Sequence, residues 1–450
     1  MGMIASPAGG AIYDTMGPRA SVVLGSCLMA VGYSLIGLTT VAGGVLSPTL
    51  TVALAALGSL LAGYSSECLL DNTVCMACSE SFPHNRGAVV GCAKAAVSTT
   101  NGLWPLVWDH IFDKPKGPGL PSYLACLAMS SFGIGLLTLP GIKVLPRGEP
   151  RQAFDCQDHS RLIVLGTLLA ALAVYNVIVS FFLSEGSLEP SRAVGYSGIA
   201  LQMAPLAILL TVRGSPSSEE LQALKEEVSS PKREVRGVPF LVAAQGLDFW
   251  LLSLIQFALF GGALSVIQNM ALIVESAGHS SAASLGVALF SLTSALSRVL
   301  VGILSDKYSK YLTRLHWLIF TVACGALGFL WMSFMDIHSI MVGALLLGVS
   351  IGCFFVIVVP LINEMYGSLA FGKIWLTQMA SQSLSSMISF LLLPAFYEGA
   401  AGGKAICVGA GCFRTSFLLI AMLDIVALAA AVLLQLRNSD SKPLTRLLSH

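Results

Sequence analysis

Apolar runs of about 18–30 residues, parted by short polar turns, repeat along nearly the whole chain. A hydrocarbon core of about 30 Å takes about 20 helical residues to cross. On that rule the pattern predicts spans near 19–41, 50–79, 87–109, 121–144, 162–183 and 195–212. Six more follow near 247–272, 280–304, 315–335, 339–365, 372–396 and 413–436. Residues 1–13 are equally apolar but run straight into a charged turn, and as a helix they reach only about 20 Å. They are expected to be the tail of a second helix, with a first helix upstream. That makes fourteen helices, ordered as six, an inserted pair, and six.

Charge placement then sets an orientation. Assigning alternate turns to one side collects eighteen lysines and arginines there, from Arg19 to Arg446, and leaves five on the other. By the positive-inside rule the richer side is cytoplasmic. The expected division is 1–144 for an N-terminal half, 145–240 for the inserted pair and its connectors, 241–436 for a C-terminal half, and 437–450 for a cytoplasmic tail.

Composition narrows the function. Charged residues make up 11% of the chain and hydrophobic ones 55%, against about 25% charged in soluble domains. The partners this implies are a lipid bilayer and a small solute rather than nucleic acid, with the chain acting as a monomer in a membrane of unspecified identity. No phosphate-cradling loop, nucleophile elbow or helically spaced His pair occurs, so neither an enzyme nor a bound cofactor is expected. Cys75 and Cys78 have a metal-like spacing, but they sit in a membrane run with no second ligand pair. Cys407 and Cys412 flank a glycine-rich turn and suit a disulfide if that turn lies outside.

Two stretches repeat each other. Gly10-Ala-Ile-Tyr-Asp14 is followed by Arg19, and Gly302-Ile-Leu-Ser-Asp306 by Lys307. Glycine allows close helix approach, and the carboxylate and cation can pin helix ends at the water interface. Ser81-Phe-Pro-His-Asn-Arg86-Gly87 follows one span, Asp248-Phe-Trp opens the second half, and Cys407-Val-Gly-Ala-Gly-Cys412 precedes the last span. Together these stretches resemble the major facilitator superfamily, in particular its nodulin-like branch, relatives of monocarboxylate porters. The resemblance implies an all-α, polytopic two-half bundle, here with an inserted helix pair and N-terminally truncated. It also implies secondary transport by alternating access, with one site between the halves. A non-transporting receptor or scaffold on the same fold is the alternative.

Ionisable groups inside spans are costly and mark functional candidates. Glu67 and Asp71 stand at i and i+4 on one span, Lys94 on the next, and Arg298 eight residues before Asp306. Asp71, Lys94 and Arg298 all lie about 10–14 Å from the cytoplasmic turns. One reading pairs Asp71 with Lys94 as a packing ion pair. The other uses Lys94 and Arg298, on spans that the resemblance brings face to face, as an anion site with Gln268 and Asn269 as neutral donors. Monocarboxylate porters carry an Asp one turn before the matching arginine; here that position is Ser294, which leaves Glu67 or Asp71 to accept any coupling proton. The resemblance further assigns Asp14, Arg19, Glu80, Arg86, Asp306, Lys307 and Glu364 to a cytoplasmic gate, with the acids held by the signature-turn cations.

Overall fold

The computed structural model describes residues 6–42, 45–82, 85–112, 119–139, 142, 156–184, 193–201, 237–279, 282–367, 369–403 and 407–440. Outside them lie the first residues of the predicted stub, most of both connectors, the later part of the span predicted at 195–212, and the tail beyond 440. The described chain is almost wholly helical. Its first half contains α1 (Ser6–Ala42), α2 (Pro48–Tyr64), α3 (Asn72–Ser81), α4 (Arg86–Val107), α5 (Gly119–Thr138) and α6 (Cys156–Ser184). Its second half contains α7 (Leu247–Gln268), α8 (Ala283–Lys307), α9 (Arg314–Met332), α10 (Ile337–Tyr366), α11 (Phe371–Ala401) and α12 (Arg414–Asp440). Among the described residues, nine helical stretches are long and apolar enough to cross a bilayer.

The stub and the first full span are one element with a break in it. Pro18 has no N–H for the Asp14 carbonyl, and its ring crowds that turn. Gly17 absorbs the change with φ of 82°, a value open to residues without a Cβ. A turn of several residues was expected here; the structure needs only Gly17 and Pro18, because proline both ends one helix and suits the first position of the next.

The second span is also interrupted. Ser47 caps α2, accepting from the Leu50 amide at 3.4 Å, and Pro48 fills the first turn. At Ser65–Asp71 the bonding widens to i→i+5 before α3 resumes. Glu67 and Asp71 both fall in this π segment, whose wider turn still leaves residues four apart on nearly the same face. Widened turns of this kind recur at functional positions.

The halves meet most extensively where α1 packs on α11 and α4 on α8. In the C-terminal half α10 is buried without interruption from Ser350 to Asn363, as a helix apolar on every face should be. It lies against α8, α9 and α4. Helix α6, in the segment expected to be inserted, runs along the α4–α8 seam, with Asn176 Nδ2 donating to the Thr99 carbonyl at 3.0 Å and Gly166 facing Val299.

Candidate functional site

The end of the bundle bearing the basic turns is held shut by a reciprocal arrangement. Asp14, in the first signature stretch, accepts from the amides of Gly372 at 3.2 Å and Lys373 at 3.0 Å, the second and third residues of α11. Asp306, in the second, accepts from Gly87 at 3.2 Å and Ala88 at 2.8 Å, the second and third residues of α4. The first amides of a helix have no partners within it, and they carry the positive end of the helix dipole. Each half therefore places a carboxylate on a helix start belonging to the other half.

Glycine makes the approach possible. A Cβ built on Gly10 would lie 2.3 Å from the Gly372 carbonyl oxygen, and one on Gly302 would lie 2.5 Å from that of Gly87. Neither backbone could come so near if those glycines were alanines. Arg314 completes the second latch, reaching Asp306 and Glu364 at 2.7 Å each. Asn363 Nδ2 donates to Ser79 Oγ of the opposite half at 3.3 Å.

The remaining residues expected at a gate lie at the same end with other partners. Glu80 accepts from the Tyr13 hydroxyl at 3.0 Å, and Arg86 Nε donates to the Ser79 carbonyl at 3.1 Å. Arg19 Nε donates to the Ile142 carbonyl at 2.7 Å, while the Lys307 ammonium lies 6.0 Å from the Tyr308 ring centroid. Glu364 is thus held by Arg314, at the start of α9; both signature-turn carboxylates meet backbone amides, and Asp306 meets Arg314 as well.

Deeper in the bundle four ionisable groups gather between the halves. Lys94 is 1% exposed and bonds Asp71. Arg298 is 6% exposed and donates through Nη1 to the carbonyl of Lys94 itself. The Phe355 ring faces both cations, with its centroid 4.3 Å from Lys94 Nζ and 5.4 Å from the Arg298 guanidinium carbon. An aromatic face attracts a cation, and more so away from water. Among the described residues, Arg298 Nε is buried with no hydrogen-bond partner and Arg298 has no carboxylate bonded to it. With Glu67 the group holds two acids and two bases, which sum to zero formal charge. One turn away, Ser98 and Ser294 meet across the seam at 3.3 Å.

The neutral candidates lie apart from this cluster. Gln268 is exposed at the end of α7, and Asn269 Nδ2 donates to the Ser265 carbonyl of the same helix at 2.8 Å. A different amide group is buried: Gln256 on α7 bonds both Gln378 and Gln382 on α11. Trp375 Nε1 reaches Asn72 Oδ1 in the opposite half at 3.0 Å. Sequence reasoning passed over Gln256 and Asn72, although a polar residue in an apolar span is itself a signal. It also passed over Asp424, a fully buried carboxylate on α12. Cys407 and Cys412 are joined in a disulfide.

A family model described as Major Facilitator Superfamily matches residues 1–390. The chain belongs to the major facilitator superfamily. It is a multi-pass membrane transporter, not an enzyme. The solved structure of the proton:xylose symporter XylE bound to 6-bromo-6-deoxy-D-glucose superposes with a TM-score of 0.56 at 16% identity, covering 95% of this chain and 82% of XylE. The E. coli fucose:proton symporter FucP gives 0.48 at 14% identity, covering 95% of this chain and 87% of FucP. A FucP structure in the outward conformation gives the same score and identity, covering 96% and 89%. No curated protein matches the chain. XylE supports the fold; at such identity it carries no cargo across.

Proposed function

We propose that this facilitator is a secondary transporter of a small organic anion, a monocarboxylate being the expected type, and that it belongs to the nodulin-like branch. The observation that carries the reading is Arg298: a buried guanidinium with one arm on a backbone carbonyl, an unpartnered Nε–H, and a second cation beside it. A planar guanidinium suits a carboxylate, which can take two of its N–H groups at once. A neutral sugar of the kind named for XylE would need hydroxyl and amide partners instead, and this cluster supplies charges. On this reading the division is 1–144, 145–240, 241–436 and 437–450, and the two halves rock about the cluster. With Asp71 engaged by Lys94, Glu67 is the carboxylate left to follow the anion with a proton.

Uptake by proteoliposomes loaded with the purified chain tests it. Radiolabelled short carboxylates should accumulate saturably, sugars should not, and Arg298→Gln should abolish the difference. Saturable sugar uptake that is indifferent to Arg298→Gln would end the anion reading.

A further inference from the structure

Asp424 lies ten residues into α12, about 15 Å from its start and so near mid-membrane. Its side chain is fully buried, and among the described residues neither carboxylate oxygen has a hydrogen-bond partner. α12 packs on α7, α9 and α11. Gly325 of α9 leaves the space in front of it: a Cβ there would sit 3.1 Å from Asp424 Oδ2 and 3.1 Å from Ser350 Oγ of α10. Ser350 cannot donate to the acid, because its hydroxyl proton is on the Thr321 carbonyl at 2.9 Å.

Among the described residues, no positive charge answers this carboxylate. On α7 the charged residue is Asp248, bonded to Arg437 at the helix ends. Arg314 and His316 open α9; His338, Glu364 and Tyr366 lie near the ends of α10; Lys373, Tyr397 and Glu398 lie near the ends of α11; and Arg414 opens α12. Midway along these helices the titratable neighbours are the thiols Cys324 and Cys353, which bring no cation. An ionised carboxylate in such a place would bear the desolvation cost of a buried charge with nothing to offset it, whereas a neutral acid bears far less. A metal cation is no remedy, since it needs several oxygen ligands and the helix carbonyls here are committed to their own ladders.

We infer that Asp424 is a proton-binding site of the C-terminal half, a neutral carboxylic acid in this conformation, separate from the central cluster and joined to it by α10. That helix brings Ser350 to Asp424, sets Gly352 against Ser294 and Ser297 of α8, and presents Phe355 to Lys94 and Arg298. Ionising Asp424 transfers its proton to water, which enters once α9 and α12 part around Gly325. Such a movement displaces α10 and the cations it supports. The inference holds whatever solute is carried.

Infrared difference spectroscopy on the full chain in lipid nanodiscs tests it without a transport assay. At neutral pH the wild type should show a protonated-carboxyl stretch that Asp424→Asn lacks and Glu67→Gln retains. Asp424→Asn, a neutral side chain of the same shape, should fold to wild-type yield. Its melting temperature should match the wild type near pH 4, where the unfolded chain also holds the proton, and should exceed it by a growing margin toward pH 9, because the unfolded wild type gives the proton up above about pH 4. Should Asp424→Asn fold poorly, Asp424→Leu gives the spectral comparison. A spectrum unchanged by removing Asp424 overturns the proposal. So does a carboxyl band abolished by sodium but not by choline at equal ionic strength, which would assign the site to a metal cation.

Discussion

Arg298 grips Lys94 by its backbone while the Lys94 side chain reaches away to Asp71. The two cations are thus coupled mechanically across the seam between α4 and α8, and only one of them has a carboxylate bonded to it. Lys94→Gln should strand Asp71 as an unpaired buried acid, at a cost of about 3–5 kcal/mol, the usual penalty for breaking a buried pair. The double change Lys94→Gln with Asp71→Asn should restore membrane yield. If Lys94 also holds the solute, yield returns and uptake does not. Recovery of both would reduce Lys94 to a packing role.

The reciprocal latches make a second prediction. Asp14→Asn and Asp306→Asn each weaken a charge-assisted contact worth about 1.5–3 kcal/mol, which moves the balance between closed and open cytoplasmic ends roughly tenfold to a hundredfold. Paired spectroscopic labels at Thr15 and Leu369, both exposed beside the first latch, should report a longer distance in either variant. An unchanged distance distribution in both would mean that the caps do not set the conformation.

The glycines can be tested without touching a charge. Gly302→Ala would drive a methyl into the Gly87 carbonyl, and Gly10→Ala one into that of Gly372. Both should open the same end as the aspartate variants, as read by the same labels, with wild-type expression. Loss of expression instead would show that the close approach is needed for folding in every state.

At the opposite end, Cys407 and Cys412 close a short turn whose Gly409 amide donates to the Ser276 carbonyl at 2.9 Å. The Cys407 amide donates to the Tyr397 hydroxyl, also at 2.9 Å. Cross-linking so short a loop stabilises by about 2 kcal/mol on a chain-entropy basis. Cys407→Ser should lower the melting temperature by a few degrees, and reduction should do the same to the wild type alone. After reduction, an impermeant thiol reagent should modify the two buried sulfurs slowly, and from the non-cytoplasmic side alone.

Much of this was legible in the sequence, for identifiable reasons. The fold class follows from apolar runs and the duplicated Gly-x3-Asp stretch, because both patterns are written in residue types. The partners of Asp14 and Asp306 are not. They are backbone amides at the starts of α11 and α4, and an amide has no letter of its own; the acids were therefore paired with nearby cations. The widened turn at Ser65–Asp71 was hidden for a similar reason, since no residue type there announces a π segment. Asp424 is different. An acid alone in the last apolar run was readable as unusual, and it was missed because attention stayed on the helices that the resemblance places around the centre.

The position of α6 changes what the halves can do in a bilayer. A two-half transporter that rocks must shear along α4 and α8, and without a cover that joint would rub against acyl chains. Here a protein surface takes the wear. Asn176 fastens α6 to α4, whereas α8 meets it through the smooth contact of Gly166 with Val299. If the halves rock, α6 would serve as a bearing strip, fixed to one moving part and sliding on methyl groups against the other. Its stiffness, and not lipid fluidity alone, then enters the rate at which the joint turns.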